Sequence, residues 1–164
     1  MWIIREDSSE KNMKIDLYIG GHAQGKEKLV REKYGSSACV INELHMWIRE
    51  RLEKIYKDGA DTAALTEAII KELDVFLTEQ VEKSEKQSTV SDETEKDIHV
   101  TGIKKDCESV RTVVIISDEI GCGIVPIGSF DRCWREVTGR VLTRLAARAE
   151  GVYRVTCGLE RKIK

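Results

Sequence analysis

The sequence predicts an α/β fold, a mostly parallel sheet flanked by helices. Three observations point there. Ile15, Leu17 and Ile19 alternate with Lys14, Asp16 and Tyr18, as a strand requires, and the segment runs into Gly20-Gly21 and then a helix-compatible stretch. Val113, Val114, Ile115 and Ile116 form an unbroken apolar run, the mark of an interior parallel strand covered on both faces. The strongest helical pattern, residues 130–150, leads directly into another strand-like segment. Strands that alternate with helices build layered sheets, whose ligands collect near the carboxyl ends of the parallel strands.

Taken in order, residues 1–12 (MWIIREDSSEKN) read as a flexible arm. One domain is expected over 13–164, since 164 residues suit about one folding unit. After the strand at 13–19, residues 26–34 make a short helix and 38–41 a short buried strand. Residues 43–57 place Leu44, Trp47, Ile48, Leu52, Ile55 and Tyr56 near one side of a helix, which Asp58-Gly59 ends. Asp61 or Thr62 caps the next helix. Its Leu65, Ile69, Leu73 and Phe76 share a face, and it is expected to fray near residues 78–81. Residues 82–97 (EKSEKQSTVSDETEKD) offer only Val90 to a core. An exposed charged insertion over 82–99 is therefore expected, either a mobile loop or a charged helical extension.

Val110 starts the next unit. Within 130–150, Cys133, Trp134, Val137, Val141, Leu145 and Ala149 trace a buried side. Arg132, Arg135, Arg140, Arg144 and Arg148 are expected on a solvated face. Gly151 interrupts the helix, and Val152, Val155 and Cys157 fit a final strand.

Composition removes several function classes. With 27 basic and 29 acidic residues, the net charge of -2 argues against general nucleic-acid binding but leaves room for one small anion site. No apolar run is long enough to span a bilayer, and polar residues follow the apolar residues 1–4 too soon for a signal-peptide core. The five cysteines are odd in number and lack C-x-x-C spacing, which speaks against a disulfide or metal framework. A reducing, cytoplasmic setting fits them best. The three histidines lack zinc-ligand spacing, and neither His45 nor His99 draws a role.

The most informative local motif is Gly20-Gly21-His22-Ala23-Gln24-Gly25-Lys26-Glu27. Residues 20–26 fit G-x-x-x-x-G-K between a strand and a helix, the context in which backbone amides cradle phosphate. Lys26 would reach a terminal phosphate, aided by the helix N-terminus. Glu27 replaces the serine or threonine that normally ligates magnesium. Its carboxylate has three readings: it opposes phosphate, it contacts the metal itself, or it turns outward and stabilises the first helical turn. A second polar locus, Ser117-Asp118-Glu119 followed by Gly121, Gly123 and Pro126, stands just after the apolar strand. Asp118 and Glu119 are placed there to bind magnesium, orient a hydroxyl or order the phosphate loop. Asn42 and Glu43, after the 38–41 strand, are candidates to position metal or water, or to cap the following helix.

At this point the chain resembles the bifunctional adenosylcobinamide kinase / adenosylcobinamide-phosphate guanylyltransferase family of cobalamin biosynthesis. Residues 118–164 look like that family's N-E-x-G-x-G-I-V-P segment, its D-x-x-G-R helix and its terminal strand, with Asp118 at the asparagine position. VINELHMWIRERL, residues 40–52, looks like V-D-x-L-T-x-W-L, and GGHAQGKEK like the phosphate loop.

The resemblance implies a P-loop kinase-like sheet, ATP or GTP with Mg2+, a corrinoid substrate and a homo-oligomer, expected to be a trimer. It makes Lys26 and Glu119 the catalytic residues and residues 20–27 the nucleotide contact. Phosphorylation of the cobinamide aminopropanol hydroxyl is the expected reaction. The family's guanylylated histidine, in H-R-x-x-R, has no match between Lys28 and Val40, so guanylyl transfer is not expected. The alternative is a non-catalytic oligomeric homologue that binds a corrinoid, an altered nucleotide or a protein partner.

Overall fold

A computed structural model describes residues 13–88 and 111–164. The arm at 1–12, the insertion from 89 onward, His99, Cys107 and Val110 lie outside the described residues. The elements are β1 (Met13–Gly20), α1 (Lys26–Tyr34), β2 (Ala38–Ile41), α2 (Leu44–Ile55), α3 (Thr62–Ser88), β3 (Arg111–Asp118), α4 (Ser129–Arg148), β4 (Gly151–Thr156) and β5 (Leu159–Lys162).

The strands assemble in the order β2-β3-β1-β4-β5. Every pairing is parallel except β4 with β5. This is the mostly parallel α/β sheet that the alternation of strands and helices predicts. Successive side chains point to opposite faces of a strand, and the two cores divide accordingly. Ile15, Leu17, Val113, Ile115 and Val152 face the core shared with α2, α3 and α4. Tyr18, Val114, Ile116 and Val155 face α1 through Val30. The unbroken apolar run of β3 follows from coverage on both sides.

The α1 face carries a polar cluster. Tyr34 donates its hydroxyl proton to Asp16 at 2.7 Å, and Lys33 Nζ donates to the Tyr18 hydroxyl and to Glu160, each at 2.9 Å. The same ammonium sits 4.1 Å from the Tyr153 ring centroid, and that ring stacks on Tyr18 at 4.6 Å. Burial pushes the Tyr18 and Tyr34 hydroxyls well above their ordinary titration range. Both phenols therefore stay protonated, and Tyr34 remains a donor to Asp16.

Three expectations need correction. First, α3 does not fray at 78–81 but continues to Ser88. Leu77 and Val81 extend its apolar face, Glu79 pairs with Lys83 one turn on, and the Glu, Lys and Gln residues there are good helix formers. Second, the chain does not end on one strand. Cys157 and Gly158 have φ of 50° and 78°, the pair of positive values that a tight hairpin turn needs, and they fold β5 back on β4. Third, the α4 arginines do not simply face water. Arg144 pairs with Glu67 and Arg148 with Asp74 of α3, while Arg132 and Arg135 bind carbonyls of the loop before α4. Asp61, by contrast, caps α3 as expected, accepting from the Ala63 amide at 3.0 Å.

Candidate functional site

The phosphate-type loop stands at the carboxyl edge of the sheet because β1 ends there. The parallel register sets Gly20 beside Asp118 of β3 and Val155 of β4. A Cβ at Gly20 would lie 2.4 Å from the Val155 carbonyl oxygen, so the approach of β4 excludes any side chain. The loop then passes through left-handed backbone at Ala23 and Gly25, with φ of 55° and 81°. Gln24 ties it to the β4–β5 turn: its carbonyl accepts from the Gly158 amide at 3.0 Å, and its side-chain Oε1 accepts from the Cys157 amide.

Gly25 is the N-cap of α1, and no side chain caps that end. The first-turn amides of a helix have no intrahelical acceptors, and the dipole is positive there, so the exposed donors favour an anion. Lys26 is only 6% exposed. Its Nζ donates to the Gly21 carbonyl at 2.7 Å, to the Gly20 carbonyl at 3.4 Å and to Asp118 Oδ1 at 2.6 Å.

Asp118 is the hub of the site. His22 Nδ1 donates to Asp118 Oδ2 at 3.0 Å, with the rest of that imidazole exposed. The Asp118 amide donates to His45 Nδ1 at 3.2 Å, and His45 Nε2 lies 3.6 Å from Asp118 Oδ2. Burial alone would raise the Asp118 pKa, but the hydrogen bonds from Lys26 and His22 outweigh it and hold the carboxyl below its ordinary value. Burial drives His45 the other way from a charged state, lowering its pKa against the pull of Asp118. His45 is thus a neutral acceptor at Nδ1. It is fixed from behind by the Trp134 indole, which donates to the His45 carbonyl at 2.8 Å.

Glu27 takes the outward course of its three readings. Its carboxylate accepts from Arg31 one turn along α1 and from Asn42 Nδ2 at 3.3 Å. Asn42 Oδ1 in turn accepts the Glu43 amide at 2.9 Å, and Glu43 is the N-cap residue of α2 without a side-chain capping bond. Glu43 therefore occupies the capping position considered for it without making the capping bond, and Asn42 spends its Oδ1 on the Glu43 amide. Glu119 donates its amide to the Gly20 carbonyl at 2.8 Å and pairs with Arg154 at 3.1 Å. It lines a cavity of about 420 Å³ between β1, the loop after β3 and α4, whose walls include Leu17, Ile19, Thr138 and Leu142.

The structure thus brings together residues 20–26, Asp118 and Glu119 at one edge, with Glu27 and Asn42 paired beside them. Among the described residues, no group of three or more His, Cys, Asp or Glu forms a candidate metal site. His45 is the site residue that sequence reasoning passes over. The available signal was its place three residues after Asn42, at the start of a helix that follows a parallel strand, where the threonine of the V-D-x-L-T-x-W-L pattern stands. No described helix is long and apolar enough to cross a membrane.

Comparison with known proteins places the chain in a family. Over 52 residues, 32% of the chain, the sequence is 46% identical to the bifunctional adenosylcobalamin biosynthesis protein CobU of Salmonella typhimurium. Over the same length it is 44% identical to the Escherichia coli protein of that name. The matched segment spans 29% of the length of each relative. Residues 21–163 match the family described as cobinamide kinase / cobinamide phosphate guanyltransferase, and the chain belongs to that family.

Proposed function

We propose that residues 20–27 hold the phosphates of ATP or GTP and that the chain transfers the terminal phosphoryl group to the aminopropanol hydroxyl of a cobinamide. One observation carries this reading: a buried lysine, Lys26, opens an uncapped helix at the carboxyl edge of a parallel sheet. That combination concentrates positive potential where a phosphate chain would lie. Phosphoryl transfer needs chiefly positioning and charge neutralisation, which these groups supply.

In the proposed reaction the acceptor oxygen bonds to the terminal phosphorus while the bond to the β–γ bridging oxygen breaks. The hydroxyl proton passes to solvent. Lys26 and the first amides of α1 bear the charge that grows on the leaving oxygens. Glu119, anchored by Arg154, borders the cavity beside the loop and orients the acceptor. Glu27 and Asn42 could turn oxygens to a magnesium ion retaining most of its waters only by giving up their present bonds, Glu27 to Arg31 and the Asn42 amide nitrogen, and Asn42 Oδ1 to the Glu43 amide. Such an ion would supply further neutralisation of phosphate charge. Asp118 and Glu43 would order water around it.

Guanylyl transfer through a histidine in the segment after the loop is not part of this reading, because residues 28–40 contain none. A homo-oligomer, a trimer by family likeness, is proposed for the working protein. The exposed side chains of Ile124, Val125 and Ile127 and the basic surface of α4 are compatible with subunit packing. A reducing compartment suits the free thiols of Cys122, Cys133 and Cys157.

The second reading, a non-catalytic homologue, draws on the carboxylate already seated on Lys26. Incubating the protein with ATP or GTP labelled at the terminal phosphate, Mg2+ and cobinamide separates the two. Label transferred to cobinamide supports the kinase. Nucleotide binding without transfer by correctly folded protein supports the second reading.

A further inference from the structure

Lys26 has three ammonium protons, and all three are already engaged. Two go to the backbone carbonyls of Gly20 and Gly21, and the third, at the shortest distance of 2.6 Å, goes to Asp118 Oδ1. The carbonyls belong to the end of β1 and the start of the loop, where Glu119 and the neighbouring strands hold the chain. The carboxylate is a side chain and is the partner that can leave. The other carboxylate oxygen, Oδ2, faces His22 Nδ1 at 3.0 Å. One carboxylate therefore spans the two cationic or proton-donating side chains of the loop, as two oxygens of a phosphate would. Its side chain is 14% exposed, so solvent weakens the Lys26 pair far less than the open pairs along α1.

We propose that Asp118 is an internal competitor for the anion site, occupying Lys26 and His22 until a phosphate chain displaces it. The inference rests on the reading of residues 20–27 as a phosphate site and adds a self-inhibiting contact to it. His45 makes the device reversible. It accepts the Asp118 backbone amide at Nδ1, so the main chain stays in place while the side chain rotates away and returns. A short anion that offers little in exchange for the ion pair binds poorly. A polyphosphate, which engages Lys26 and the amides of α1 together, binds well. The contact thus discriminates by phosphate number. In the N-E-x-G pattern the position holds asparagine, which has no negative charge to set against a phosphate, so this brake belongs to the aspartate.

The test is calorimetric titration with inorganic tripolyphosphate in the absence of divalent cations. It uses the full chain, Asp118→Asn, Asp118→Ser, and the double variant Asp118→Asn with Lys26→Met. Circular dichroism and thermal melting establish that each is folded, and the serine variant serves if the asparagine variant is not. Removing the carboxylate should tighten binding by on the order of ten-fold, the scale of one charge-assisted hydrogen bond exchanged. The gain should vanish in the double variant. Glu27→Gln removes a nearby charge whose carboxylate is turned to Arg31, and it should give a clearly smaller gain, which separates direct competition from general electrostatics. If the full chain binds tripolyphosphate and the Asp118 variants bind no tighter, or no tighter than Glu27→Gln, the competitor role is overturned while the phosphate site stands. If neither the full chain nor any variant binds tripolyphosphate, both the phosphate site and the competitor role fall.

Discussion

His45 accepts a hydrogen bond at Nδ1 from the Asp118 amide, so protonating that nitrogen breaks the contact. Burial lowers its pKa below the unfolded value of about 6.5. As pH falls through that value, the unfolded chain takes up a proton that the folded protein refuses, and stability drops until the folded pKa is reached. Urea midpoints of wild type and His45→Asn at pH 7.5 and 5.5 check this: the variant should lose less stability on acidification. Equal losses would mean that His45 carries no such linkage. Asp118 obeys the opposite rule. Its depressed pKa contributes stability above the unfolded carboxylate value of about 3.9, and that contribution is lost as pH falls through the folded pKa. At this scale the sequence made Lys26, Gly20 and Gly25 legible, because the G-x-x-x-x-G-K spacing is local. It did not make His45–Asp118 or Gln24–Cys157 legible. Those partners lie 73 and 133 residues apart, and only the sheet register joins them.

β1, its loop and α1 act as one element, fastened at both ends. Gly20 admits no Cβ because one would lie 2.4 Å from the Val155 carbonyl oxygen, so Gly20→Ala must push β4 aside. The expected cost is about 1–3 kcal/mol, read from denaturant unfolding. At the loop tip, Gln24→Ala removes the side-chain acceptor of the Cys157 amide. Hydrogen exchange at that amide should quicken several-fold, with little change at β1 and β3 amides. The elements themselves were mostly readable from periodicity, and the failures have physical causes. β5, Leu159-Glu160-Arg161-Lys162, is an exposed edge strand in which charge replaces the alternating apolar signal. Its turn uses Cys157-Gly158, where the left-handed Cys157 gives none of the warning an asparagine would. The last turns of α3 look like linker by composition, yet they are rich in the helix formers Glu, Lys and Gln and follow directly on an apolar face that runs to Val81.

The whole molecule divides its work between the two faces of the sheet. α2, α3 and α4 build the larger core, and among the described helices α1 covers the other side while carrying Lys26 at its tip. Leu73 is fully buried where α3 enters the larger core, so Leu73→Ala should cost about 2–5 kcal/mol without abolishing phosphate binding, because α1 lies on the opposite face. Chemical unfolding and ligand titration of the same variant would check both halves of that statement. The proposed transfer requires the loop at the carboxyl edge to be a nucleotide phosphate site. Equilibrium titration of wild type and Lys26→Met with ATP and with GTP, each with Mg2+, tests it most directly. Wild type should bind at least one nucleotide, and the variant should bind it about ten-fold or more weakly, the loss of a buried charge-assisted contact. Equal affinity in the two proteins, or no binding by folded wild type, would contradict it.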